Sequence, residues 1–170
     1  MNGERARLVV FAGLPGVGKS TLAREVATAL RATFLRIDTV EAAIASTLTA
    51  FDDSPVGYVV GARVAADQLR AGRPVVVDAV NAVQVARQGW VDLAREHAAA
   101  LDFVEVTCGD PAEHRRRVEG RVAEMPGQHV PMWAEVQRRR WEPFTVDRIV
   151  IDNRGDTAAS VRRVLDGLTG

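Results

Sequence analysis

The sequence predicts a three-layer α/β/α sandwich around a parallel β-sheet, and three observations carry that expectation. Short apolar runs, such as residues 8–12 and 75–77, alternate with stretches of helical periodicity. Runs without polar alternation suit strands buried on both faces, which is what helices crossing over a parallel sheet produce. The chain has 170 residues, 47% of them apolar, enough for one domain with a real core. A single domain over residues 1–170 is expected, with no repeat, low-complexity segment or dividing linker.

The elements follow in order. Leu8–Ala12 reads as the first strand, and Lys19–Arg31 as a helix with Leu22, Val26, Ala29 and Leu30 on one face. Thr33–Ile37 is the second strand. Val40–Thr49 and Val56–Ala71 are helical, divided by a turn at Asp52-Asp53-Ser54-Pro55, and Gly72 stops the latter helix. Pro74–Val77 is a third strand ending in Asp78. Val83–Ala100 is helical, although Gly89 weakens it. Leu101–Thr107 is the fourth strand. Asp110 can cap the next helix, with Pro111 in its first turn and Glu113 closing a capping box. That helix should run to about Ala123. A loop at Glu124–Val130 and a helix from Pro131 to Trp141 complete a lid at about residues 115–140. Arg148–Ile151 is the fifth strand and Asp156–Leu168 the closing helix.

Composition excludes several classes. Formal net charge is zero, from 22 basic and 22 acidic residues, so no general attraction to nucleic acid or to a membrane surface is expected. The single cysteine, Cys108, can form neither an internal disulfide nor a metal site by itself, which points to the cytoplasm. No long apolar stretch precedes the first strand, so no signal peptide is expected. No apolar run reaches the length of a membrane span.

The basic residues comprise 21 arginines and one lysine, Lys19. A chain that uses arginine everywhere else keeps an ammonium at this position. A compact point charge fits between phosphate oxygens where a longer planar guanidinium does not. Lys19 lies in Gly13-Leu14-Pro15-Gly16-Val17-Gly18-Lys19-Ser20, a complete G-x-x-x-x-G-K-S/T pattern between a buried strand and a helix. In such a loop the glycines let backbone N–H groups wrap the phosphates, and the helix N-terminus adds its positive end. Lys19 would reach the β- and γ-phosphates of ATP, and Ser20 would offer its hydroxyl to Mg²⁺, with Thr21 completing the motif.

Phosphoryl transfer also needs a metal anchor, an activated acceptor and cations that meet the moving charge. Asp78, closing the third strand, faces the ligand crevice of an open α/β sheet and would hold Mg²⁺. Asp38, placed at the end of the second strand, would take the proton from an acceptor hydroxyl. From sequence alone the two aspartates are interchangeable in these roles, and each also suits a helix cap. Arg117 and Arg121, four apart on the arginine-rich helix, share a face and would clamp the phosphates as the lid closes. His97, His114 and His129 show no ligand spacing and read as ordinary helix or surface histidines. Trp133, beside the loop, is the tryptophan to watch.

Gly13–Thr21, Asp38, Asp78 with Asn81, and the arginine helix followed by a loop resemble the small P-loop kinases. The group most similar contains polynucleotide kinase, chloramphenicol phosphotransferase and zeta toxin. The resemblance implies a five-stranded parallel sheet in the order 2-3-1-4-5. It implies that Asp38 is the general base and Asp78 the third-strand carboxylate. Asn81 and Arg87 would line the acceptor pocket, Arg117 and Arg121 would be lid arginines, and Asn153 would lie in the loop flanking the adenine. The expected activity is ATP- and Mg²⁺-dependent phosphorylation of a hydroxyl on a small molecule such as an antibiotic, a sugar or a nucleoside. The alternatives are a 5′-hydroxyl polynucleotide kinase and a nucleotide-binding regulatory ATPase. The lid between Met125 and Pro131 is short and poor in basic residues, which speaks against a long polyanionic acceptor. The acceptor segment Thr39–Tyr58 is poor in arginine and carries Glu41, Asp52 and Asp53, which favours a neutral or cationic hydroxyl compound.

Overall fold

In the computed structural model, which describes residues 5–48 and 55–168, five parallel strands form one sheet in the order β2-β3-β1-β4-β5. The strands are β1 (Arg7–Ala12), β2 (Thr33–Arg36), β3 (Val75–Asp78), β4 (Ala100–Thr107) and β5 (Ile149–Asp152). The helices are α1 (Lys19–Ala29), α2 (Ile37–Thr47), α3 (Val56–Arg70), α4 (Gln84–Glu96), α5 (Pro111–Glu119), α6 (Trp133–Arg138) and α7 (Thr157–Leu168). The turn expected at Asp52-Asp53-Ser54 lies outside the described residues.

The strands alternate between two cores. Leu8 and Val10 of β1, with Val75 and Val77 of β3, pack against Ala65 and Leu69 of α3 and Trp90 and Leu93 of α4. Val9, Phe11 and Val76 face the opposite layer, with Leu22 and Val26 of α1 and Val164 and Leu168 of α7. The four strands β1 to β4 therefore contribute apolar side chains in both directions, while edge strand β5 packs on one side through Ile149 and Ile151. Two-sided burial is the reason that β1 and β3 lack the polar alternation of a one-sided sheet.

Several boundaries differ from the sequence reading. The expected helix over Val83–Ala100 ends at Glu96, and Ala100 already pairs with Arg7 of β1. The alanines there favour helix, but the ladder with β1 outweighs that propensity. α5 ends at Glu119 rather than near Ala123, with Gly120 as its cap. α6 spans only Trp133–Arg138. At the end of β2, Arg36 is the last strand residue, and Ile37 and Asp38 open α2. Asp38 is thus a first-turn helix residue and does not terminate a strand.

These details set the crevice. In the sheet register, Asp78 lies opposite Phe11 of β1 on one side and Arg36 of β2 on the other. The C-terminal edges of β2, β3 and β1 therefore bring Arg36, Asp78 and the loop after β1 together, at the edge where open parallel sheets bind ligands.

Candidate active site

The loop from Gly13 to Gly18 turns directly into α1. Gly18 caps the helix with φ 85°, a conformation that disfavours any residue with a side chain. A Cβ there would also run into the Asn153 amide, so that strand-end residue closes tightly over the loop. Asn153 donates from Nδ2 to the Val17 carbonyl at 3.0 Å, and its backbone N–H donates to Thr107 at 2.9 Å. On the other side, His114 of α5 is buried, and its Nε2 lies 2.7 Å from the Pro15 carbonyl. A carbonyl only accepts, so Nε2 carries the proton. The His114 ring meets Trp133 of α6 edge-on, with centroids 5.1 Å apart. The loop is therefore braced from both sides before any ligand arrives.

Lys19 is buried and donates to Asp78 Oδ1 at 2.6 Å. The Ser20 hydroxyl lies close enough to Asp78 to favour its charged form. Burial alone would raise the Asp78 pKa, but the Lys19 charge and hydrogen bond, the Ser20 hydroxyl and Arg36 together hold it below the ordinary carboxylate value. Asp78 is therefore ionised. Its second oxygen, Oδ2, is buried and has no hydrogen-bond partner. An ionised carboxylate with one orphaned oxygen beside a loop serine is a donor set that fits Mg²⁺.

A cleft of about 250 Å³ joins Lys19 and Ser20 to several of the others singled out in the sequence, while Asp78, 1% exposed, and Asn153 do not line it. Leu14, Pro15, Gly16, Gly18, Lys19, Ser20 and Thr21 line it, with Asp38, Arg117 and Arg121. Val17 points into the apolar core, and Gly13 lies behind the loop, its N–H donating to the Val80 carbonyl at 3.1 Å. Arg117 donates to Glu113 at 2.7 Å and to the Asn153 carbonyl at 2.8 Å, tying α5 to the chain after β5. Arg121 lies beyond the end of α5, yet it still faces the same cleft.

Two residues take a different place from the expected one. Asn81 is fully buried, with φ 50°; its Nδ2 donates to Phe11 O at 2.8 Å and its Oδ1 accepts from Trp90 Nε1 at 2.9 Å. Arg87 is also buried. It donates to the carbonyls of Asn81, Pro143, Ala82 and Glu142, and stacks over Phe144 with its Cζ 4.1 Å from the ring centre. Every polar atom of both side chains is engaged within the protein, so neither presents a donor to an acceptor pocket. Their task is to fix the turn after β3 and the segment before β5.

Three residues escaped the sequence reading. Arg36 and Glu124 line the cleft and pair with each other at 2.7 Å. His114 supports the loop. A signal existed for Arg36: it is the one charged residue in the short run Thr-Phe-Leu-Arg. Glu124 and His114 carried none, because their contacts span 88 and 99 residues of chain.

A central strand delivering a glycine loop to a helix N-terminus, within a parallel sheet of order 2-3-1-4-5, defines the P-loop nucleotide-binding fold of the small kinases. The chain belongs to the AAA domain family, whose model matches residues 8–143. Among solved structures, a putative kinase from Chloroflexus aurantiacus is 18% identical with a TM-score of 0.76, covering 96% of this chain and 98% of that one. A gluconokinase from Sinorhizobium meliloti is 22% identical with a TM-score of 0.65, covering 97% and 92%. The Mycobacterium tuberculosis APS kinase CysC, solved with AMPPNP and APS, is 18% identical with a TM-score of 0.71, covering 98% and 99%. No curated protein matches the sequence.

Proposed function

We propose that this protein transfers the terminal phosphoryl group of ATP to a hydroxyl of a small molecule in the cytoplasm. One observation carries the reading: a single cleft joins the phosphate loop to Asp38 and to two arginines of the lid.

In this mechanism the loop from Gly13 to Thr21 binds the phosphates, and Lys19 leaves Asp78 to meet the β- and γ-oxygens. Ser20 and Asp78 would hold Mg²⁺, which supplies charge neutralisation on the transferring group when bound. Asp38 orients the acceptor hydroxyl and takes its proton as the oxygen attacks the γ-phosphorus. The bond from that phosphorus to the β-phosphate oxygen breaks, and ADP leaves. Arg117 and Arg121 meet the charge on the equatorial oxygens. The lid excludes water, which would otherwise compete with the acceptor.

The test is ADP release from Mg²⁺-ATP with a panel of antibiotics, sugars, nucleosides, hydroxy acids and 5′-hydroxyl oligonucleotides. One class should stimulate release strongly. Asp38→Asn should keep ATP binding and lower stimulated turnover by about 10²–10⁴, the usual reach of acid–base catalysis. ATP turnover that no hydroxyl compound accelerates would replace this reading with that of a regulatory ATPase. Stimulation confined to oligonucleotides would make it a polynucleotide kinase.

A further inference from the structure

Arg36 ends β2 with its side chain only 5% exposed. Both of its hydrogen bonds go to one carboxylate: Nη1 to Glu124 Oε2 at 2.7 Å and Nη2 to Oε1 at 3.3 Å. Its Nε is buried without a hydrogen-bond partner. Asp38 and Asp78 each stand 3.8 Å from the guanidinium, close enough for charge attraction but beyond hydrogen-bond reach.

The two partners are unequal. Glu124 is half exposed, at 51%, and belongs to the loop between α5 and α6. A glutamate there loses little by turning into water. Asp38 and Asp78 still supply negative charge at 3.8 Å, but neither accepts a hydrogen bond, so Arg36 needs a hydrogen-bonding oxyanion whenever Glu124 leaves. The same loop lies on the acceptor helix α2. Gly127 has φ 77°, and a Cβ on it would strike the Ala42 carbonyl and come within 2.9 Å of the Ser46 nitrogen. The segment that carries Glu124 is therefore seated on α2, and Glu124 lines the same cleft as Asp38.

We infer that the acceptor carries an oxyanion a few bonds from its reacting hydroxyl, and that Arg36 receives this oxyanion in place of the Glu124 carboxylate. The hydroxyl half of the statement rests on the kinase reading above; the oxyanion site does not. The ligand chemistry is two oxygens sharing a negative charge, as in a carboxylate or a phosphate monoester, matched to a fork of N–H donors. Glu124 occupies the site as a stand-in from the chain itself. The expectation of a neutral or cationic acceptor came from Glu41, Asp52 and Asp53. Of these, Glu41 lies against Gly57 of α3, and the two aspartates fall outside the described residues. Arg36, at the end of β2, lies just before the arginine-poor segment Thr39–Tyr58. With it in the cleft, the acceptor side has a buried cation that prefers an anion.

The experiment compares wild type, Glu124→Gln, Arg36→Met and Arg36→Lys, each first checked for melting temperature and for ADP binding. Calorimetry with Mg²⁺-ADP present measures binding of glycerol, glycerate and glycerol 3-phosphate. ADP release from Mg²⁺-ATP is measured with the same three. Wild type should bind one or both anions and not glycerol, and the preferred anion decides between carboxylate and phosphate. Glu124→Gln should tighten anion binding about 10- to 100-fold, the reach of charge-assisted hydrogen bonds freed from competition. Arg36→Met should abolish it. Should that variant unfold, Arg36→Lys, which keeps the charge but loses the fork, should weaken it while folding. Equal affinities across wild type, Glu124→Gln and the folded Arg36 variant overturn the inference, as does a preference for glycerol. Anion binding with the expected variant pattern but no stimulated ADP release keeps the oxyanion site and removes the kinase reading. Turnover of glycerol alone, unchanged by either substitution, does the reverse.

Discussion

Arg87→Met separates two roles for one buried cation. If Arg87 lined an acceptor pocket, the substitution would raise the acceptor KM and leave stability nearly untouched. The structure gives it a different task. Arg87 donates to four backbone carbonyls, three of them at 2.7–2.9 Å, and its guanidinium covers the Phe144 ring. Methionine fills much of the same volume but donates nothing. The Ala82 carbonyl keeps the Glu142 N–H. The other three lose their donor at about 1 kcal/mol each, the low end of the range, since two of those contacts are only partly buried. The lost cation–π contact adds about 1 kcal/mol. The total of about 4 kcal/mol is a large part of the stability of many domains. At about 2–4 °C per kcal/mol for a chain of this size, the melting temperature should fall by about 8–16 °C. Differential scanning calorimetry reads this directly, with circular dichroism at low temperature confirming that the variant still folds. A fall within about 2 °C, accompanied by a raised acceptor KM, would refute the structural role and return Arg87 to the acceptor site.

Other outcomes follow from the same geometry. Gly127→Ala forces a left-handed backbone, at about 1–2 kcal/mol, onto a residue with a side chain that meets Ala42. The loop should lift from α2, so ADP release without acceptor should rise as water enters; an unchanged basal rate would mean that the loop does not exclude water. Arg117→Ala should lower turnover by about 10²-fold while changing the ATP dissociation constant much less, and a pure affinity loss in equilibrium titration would make Arg117 a binding residue only. Asp78 gives a pH dependence of known sign. A carboxyl whose folded pKa lies below its unfolded value stabilises the fold above the unfolded pKa, and that contribution is lost as pH falls through the folded one. Urea denaturation below about pH 4 should therefore show a steep loss of stability in wild type and a shallower one in Asp78→Asn. Parallel acid limbs would mean that Asp78 is not held ionised by Lys19.

The sequence by itself determined the layers and the nucleotide loop. Apolar runs buried on both faces leave no choice but a sheet covered on two sides. Gly13–Ser20 between a strand and a helix carries its own geometry, because the loop's conformation is written in adjacent residues. The strand order was an implication of family likeness and not of any local pattern. Tertiary structure alone decided which polar groups meet. Arg36 and Asp78 are 42 positions apart and become neighbours only because β2 and β3 pair in one register. Asn81 and Arg87 resemble acceptor-pocket residues in sequence, but Phe11, Trp90 and the carbonyls after β3 and before β5 take up their hydrogen bonds. Asp38 moved from strand end to helix turn, since a helix can begin the moment the ladder with β3 ends. Glu124 had no signature at all, because an exposed loop glutamate becomes meaningful only when a distant buried arginine needs an anion. Local pattern fixes what the backbone does with its neighbours; burial and long-range charge pairing fix the chemistry, and those are properties of the packed chain.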